Sequence, residues 1–228
     1  LFPAHKQRYN QIAGGADAKL SNNYGSMGIG TMIIFIAMIL VAGISASVII
    51  QTMSDLQSKA NRTGRETIRD ISTGIEVRQI SGYVVNSKID QLALYVSPMV
   101  ASEGIDLSHT VIFLSDSSNE VMLKYDSNMF SDSVSSNGLF HTLNSSNLTS
   151  SSFGIVVVRD RDNSCTASSP VINERDIVVL MVNTTKCFSG LSPRTEVWGR
   201  ITPEYGISGV IGFTVPSVLI DRVVDLQP

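Results

Sequence analysis

Charge is scarce in this chain: 16% of its 228 residues are Asp, Glu, Lys or Arg, against roughly 25% in ordinary soluble domains. Between Leu20 and Ser54 there is no charged side chain at all, so some part of the molecule avoids water. The charges that remain sum to −3 and form no Lys and Arg cluster of the kind a phosphate backbone requires, which excludes nucleic acid as a partner. Histidine occurs only at positions 5, 109 and 141. The two cysteines, Cys165 and Cys187, have no histidines at zinc-ligand spacing beside them. No nucleophile elbow, phosphate-cradling loop or zinc-protease helix motif appears, and Gly28-x-Gly30 opens an apolar helix instead of following a strand. The residues carry no catalytic chemistry, and an enzyme is not expected.

What the chain does have is grease in one place. Met27 to Ile50 is apolar apart from Thr31, Ser45 and Ser47, and about 20 such residues span a bilayer core. A secretory signal with its ~7 to 15 apolar residues and cleavage motif is shorter than this run. Gln51, Asp55 and Lys59 continue at helical spacing, so the pattern predicts a helix from about Met27 to Asn61, roughly 50 Å long. Ala42 with Ala46, and Gly43 with Ser47, place small residues four apart, which lets helix backbones approach closely in apolar surroundings. Gly28 and Gly30 lie in its first turn, where glycine weakens a helix but permits close packing.

Beyond the helix the pattern changes to strands. β-Branched or alternating runs occur at 75–85, 91–98, 109–116, 120–125, 153–160, 176–183, 196–203 and 207–215, separated by Ser, Asn, Gly and Pro. Short strands without helical crossovers favour an antiparallel sandwich or barrel. The expected class is α+β: residues 26–62 a long N-terminal hydrophobic helix, residues 63–228 an all-β domain. The Ser- and Asn-rich stretch 126–152 lacks periodicity and reads as a long outer loop. Sequons stand at Asn61, Asn144, Asn147 and Asn183, and they predict surface N-glycosylation. A Cys165–Cys187 disulfide is expected, closing a loop of about 23 residues for roughly 3 kcal/mol; two buried free thiols are the alternative. No metal or other cofactor is required. Asp160 and Asp162, and the run from Asp116 to Glu120, are candidate oxygen ligands for a structural Ca²⁺, with solvated turns as the competing reading.

The string GSMGIGTMIIFIAMILVAGISASVIIQTMSDLQSKA, Gly25 to Ala60, closely resembles the N-terminal region of archaeal flagellins, or archaellins, whose helix is like that of type IV pilins. YGISGVIGFTVPSVLIDRVVDLQ, Tyr205 to Gln227, is similar to the family's C-terminal strand region. The resemblance implies an immunoglobulin-like sandwich and a class III signal peptide over residues 1–25, cut between Gly25 and Ser26 by a prepilin-type peptidase. Asn23 and Tyr24 stand where the family usually has basic residues, so cleavage after Gly15 and retention of the leader are the alternatives. It further implies a motility filament at the cell surface, built from copies of one or several archaellins, with transient membrane insertion first and a membrane assembly motor as partner. A non-rotating pilus subunit and a monomeric membrane-anchored binding protein are the rival readings.

Overall fold

The computed structural model describes residues 7–100 and 102–227, with side chains from Gly25 onward apart from Ser26. Residues 1–6 of the expected leader lie outside the described residues. The chain divides into two compact units, Leu1–Thr63 and Gly64–Pro228.

Helix α1 is Gln7–Ser72, longer at both ends than the expected Met27–Asn61. At the front, Gln, Ala, Lys and Leu favour the helix, and the next proline after Pro3 is Pro98. At the back, Gly64 sits exposed with open space around it, and one exposed glycine costs a helix only about 1 kcal/mol. The helix therefore continues past the expected end at Asn61, through Ser72. The helix stops where Thr73 donates back to the Arg69 carbonyl at 2.9 Å and the Ile207 amide caps Thr73 at 2.9 Å. The approach needs glycine opposite: Gly206 has φ +95°, and a Cβ there would lie 2.1 Å from the Thr73 carbonyl oxygen.

The strands are β1 (Ile75–Val85), β2 (Lys88–Pro98), β3 (Ile105–Asp106), β4 (Val111–Ser115), β5 (Glu120–Ser131), β6 (Ser152–Arg159), β7 (Val171–Ile172) and β8 (Ile177–Asn183). Then come the short helix α2 (Thr184–Phe188), β9 (Glu196–Thr202), β10 (Gly209–Thr214) and β11 (Val223–Gln227). Asn86 and Ser87, at φ 50° and 61°, make the tight β1–β2 turn, the conformation whose twist suits a hairpin. Nine strands form one sheet in the order β10-β9-β4-β5-β6-β8-β2-β1-β11, and β3 pairs with β7 separately. The large sheet folds over until its ends meet: the Ile75 amide donates to the Ile207 carbonyl at 3.1 Å and Gly212 donates to Gln227 Oε1 at 3.1 Å. Inside lies an apolar core that includes Ile80, Leu92, Leu114, Phe153, Leu180 and Ile211, each no more than 1% exposed.

One pair departs from the antiparallel expectation. β5 and β6 run parallel, and the crossover that parallel strands need is the serine-rich segment 132–151. That segment is not simply an outer solvated loop. Phe140 and Leu148 of the segment, with Met129 of β5, pack on Ala93, Val156, Val179 and Met181 as a second cluster, and Leu143 lies so close over Gly154 that a Cβ there would sit 2.6 Å from Leu143 Cδ1. This cover explains why five successive residues of β6 and six of β8 are buried, a pattern seen when both faces of a strand are covered.

Candidate assembly surfaces and the acidic cluster

On α1, the residues from Met27 to Ile50 are exposed throughout. Met27 is 68% exposed, Phe35 64% and Ile44 67%. The small residues Gly28, Gly30, Ala42, Gly43, Ala46 and Ser47 are exposed as well, and nothing lies within 4 Å of the Cβ positions of the three glycines. Thr31 donates to the Gly28 carbonyl at 2.9 Å and Thr52 to the Val48 carbonyl at 2.8 Å. These hydroxyls are satisfied within the helix and make no demand on an apolar neighbour. Gly25 and Ser26 lie within α1; the side chain of Ser26 lies outside the described residues.

The sequons separate into two kinds. Asn61, Asn144 and Asn147 are exposed, and Asn144 Oδ1 accepts from the Ser146 amide at 3.1 Å. Asn183 is 5% exposed. Its Nδ2 donates to the Ser145 carbonyl at 2.8 Å, and its Oδ1 accepts from Lys186 N at 3.0 Å as the cap of α2. The expected glycan at Asn183 is thus incompatible with the fold, because the nitrogen that would carry it is buried and engaged in holding the loop to the sheet.

The expected disulfide is also absent: Cys165 and Cys187 are both free. Cys165 lies beside Asp160 and Asp176, before β8, and Cys187 lies on α2, after it. A strand of seven residues spans roughly 20 Å at ~3.3 Å each, whereas bridged Cα atoms stand within about 7 Å. Burial, with the nearby carboxylates, pushes the Cys165 thiol up to about 12, and burial pushes Cys187 to about 11. Neither is a reactive thiolate.

The two sequence candidates for a cation, Asp160 and Asp162, are brought together and joined by Asp176, with ligand oxygens of all three within 4.8 Å of one another. Asp176 is 1% exposed and accepts from the amides of Asn173 at 3.0 Å and Arg161 at 3.4 Å. Asp160 accepts from Asp162 N at 3.2 Å and Cys165 N at 2.9 Å. Donation from the Asn173 amide, then from Ser164, holds the Asp162 carboxyl below its usual range. No Lys or Arg makes an ion pair with these carboxylates among the described residues. Asp176 was missed in the sequence because it arrives from the far side of the β7 turn; the Asp116–Glu120 candidate is an ordinary turn, Asp116 Oδ1 accepting from Ser118 and Asn119. Also unforeseen is a polar group at the start of the sheet, where His109 Nδ1 stands 3.3 Å from Asp106 and 3.9 Å from Glu204, and Arg69 lies 4.3 Å over the Tyr205 ring.

An exposed apolar run on a long helix, Met27 to Ile50, joined to a β unit with its own core, defines a membrane or assembly protein. The model of the archaeal-type flagellin family matches residues 25–213, and the chain belongs to that family. It is 41% identical over 211 residues to Flagellin B2 of Methanocaldococcus jannaschii, covering 91% of this chain and 97% of the relative. Flagellin B4 of Pyrococcus abyssi is 39% identical, with 89% and 98% covered. Among solved structures, archaeal flagellin FlaB1 from M. jannaschii superposes with a TM-score of 0.62 at 32% identity over 68% of this chain and 97% of that one. The archaeal flagellum of Methanospirillum hungatei shares the fold, with a TM-score of 0.61 at 14% identity over 88% and 99%.

Proposed function

We infer that this chain is the structural subunit of an archaellum, an extracellular filament serving swimming motility, and that it polymerises through its N-terminal helix. The observation that carries the reading is the uncovered apolar run from Met27 to Ile50. In water, burying that surface is worth about 25 cal/mol per Å², so the run must be covered by lipid or by other copies. Lipid tails and a bundle of like helices are similarly apolar, and a subunit passes from one to the other without exposing the run to water. Small residues at 42, 43, 46 and 47 favour close helix approach in the bundle. A head-to-tail contact that does not close produces an open helical polymer.

The remaining steps are extensions of that reading. The subunit waits in the membrane before assembly; a prepilin-type peptidase removes residues 1–25 between Gly25 and Ser26; a membrane motor assembles the filament. Asn61, Asn144 and Asn147 carry the glycans. A structural Ca²⁺ suits the Asp160, Asp162 and Asp176 carboxylates, where three negative charges otherwise repel; it supplies countercharge, and the prediction is a melting temperature that rises with added Ca²⁺ and loses that response in Asp176→Asn. Electron microscopy of purified surface filaments, with mass spectrometry of the mature subunit, tests the whole. Filaments of this chain beginning at Ser26 are expected; detergent-soluble monomers would overturn the filament reading, and a different first residue would overturn only the cleavage site.

A further inference from the structure

Outside the main core, the large sheet has two unlike halves. The outer face of β2, β6 and β8 is covered by the chain's own segment 132–151; on the other half Met122, Lys124, Trp198, Arg200, Val210 and Gly212 of β5, β9 and β10 are exposed. Register there aligns Met122, Phe113, Arg200 and Val210 in one rank and Glu120, Ser115, Trp198 and Gly212 in the next. Trp198, the only tryptophan, is 53% exposed, Met122 49% and Val210 70%. Between Phe113, Trp198, Glu120 and Arg200 lies a cleft of about 170 Å³, comparable to the ~150 Å³ apolar cavity that accepts a six-carbon ring. The Arg200 guanidinium rests over Phe113, 4.7 Å from the ring centroid.

A second surface protrudes from the same unit. The segment 216–222 between β10 and β11 presents Val218 at 67% and Ile220 at 88% exposure, followed by the exposed pair Asp221 and Arg222. Aliphatic side chains this exposed, like the exposed Trp198, mark contact surfaces. None of Glu120, Arg200, Asp221 and Arg222 has an ion pair among the described residues. The two surfaces are complementary in composition and sign: an apolar cleft edged by one base and one acid, and exposed aliphatics followed by one acid and one base.

We propose that segment 216–222 of one subunit docks on the Trp198 face of the next, with Ile220 in the cleft, Asp221 against Arg200 and Arg222 against Glu120. The occupant is a second copy of this chain because the matching halves sit at different places on one molecule, which is the arrangement an open polymer needs. The contact rests on the filament reading and adds to it a sideways bond between β units, independent of the helical core. An aromatic anchor filled by an aliphatic and rimmed by charge is the composition of an interface hot spot.

The test uses filaments of the full chain with Cys165→Ala and Cys187→Ala as background. Trp198→Cys with Ile220→Cys is expected to give a ladder of disulfide-linked multimers under mild oxidation, and either substitution alone none. Arg200→Asp is expected to shorten the filaments at least several-fold, and adding Asp221→Arg to restore them, with the melting of the dissociated subunit unchanged in both. Normal filaments with no ladder, or an Arg200→Asp defect that Asp221→Arg does not repair, would overturn the contact and leave the filament reading standing. Failure of the unsubstituted chain to form filaments would overturn both.

Discussion

Isoleucine at 44 and isoleucine at 155 are the same side chain in opposite circumstances: Ile44 on α1 is 67% exposed, and Ile155 on β6 is fully buried. After Gly64 most of the apolar residues of the strands are buried in a core, and segment 132–151 covers part of the outside, while Trp198, Val210, Val218 and Ile220 stay exposed. The helix from Met27 to Ile50 covers none of its own apolar residues. A substitution in the β core should therefore change folding, and one on the apolar helix run should change only what the molecule joins. Ile44→Asp should abolish filaments outright, since a charge in apolar surroundings costs several kcal/mol for every copy, while the β unit melts within about 0.5 kcal/mol of the parent. Calorimetry of the detergent-solubilised full chain, alongside electron microscopy, checks both halves. A lowered melting temperature in Ile44→Asp would break the distinction.

The reverse experiment is Ile155→Ala. Removing a buried aliphatic should cost about 2–5 kcal/mol through lost transfer energy and the cavity left behind, read by denaturant unfolding, and filament yield should fall only as far as the folded fraction does.

Within the β unit, Asn183→Ala and Asn147→Gln divide the sequons by burial. The first removes the cap of α2 and the tie to the Ser145 carbonyl, and about 1–3 kcal/mol should be lost. The second alters an exposed side chain and should move stability by less than about 0.5 kcal/mol. Peptide mapping of the unsubstituted filament should find no glycan on Asn183.

The helix was legible because an apolar run of that length has few alternatives, and its glycines made the family resemblance specific. The strands at 75–85, 153–160 and 176–183 were legible as β-branched runs. What stayed hidden was set by tertiary placement. Nothing local in Asn183-Thr-Thr tells a sequon from a buried helix cap. Nothing in two cysteines tells that β8 separates them. Segment 132–151 is polar on average, and only the folded sheet gives Phe140 and Leu148 a surface to cover. Likewise Asp176 joins Asp160 only once the β7 turn returns the chain.

Alkaline pH offers the gentlest separation of the two units. Met27 to Ser54 contains no titratable side chain, so rising pH leaves that part of the helix unchanged. Cys165 in the β unit is 6% exposed, and its thiol is raised from 9.0 to about 12 by burial and by Asp160 and Asp176. The folded state therefore keeps this proton after the unfolded chain has released it. Its contribution is intact below pH 9 and shrinks as pH climbs toward 12, by on the order of 1 kcal/mol per pH unit. Denaturant unfolding at pH 8, 9, 10 and 11 should fall more steeply for the parent than for Cys165→Ala, which starts lower because of its cavity and converges on the parent as pH rises. Parallel curves would mean that the thiol is as open to solvent in the folded chain as in the unfolded one, and that the β unit covers itself less completely than the helix makes it seem by contrast.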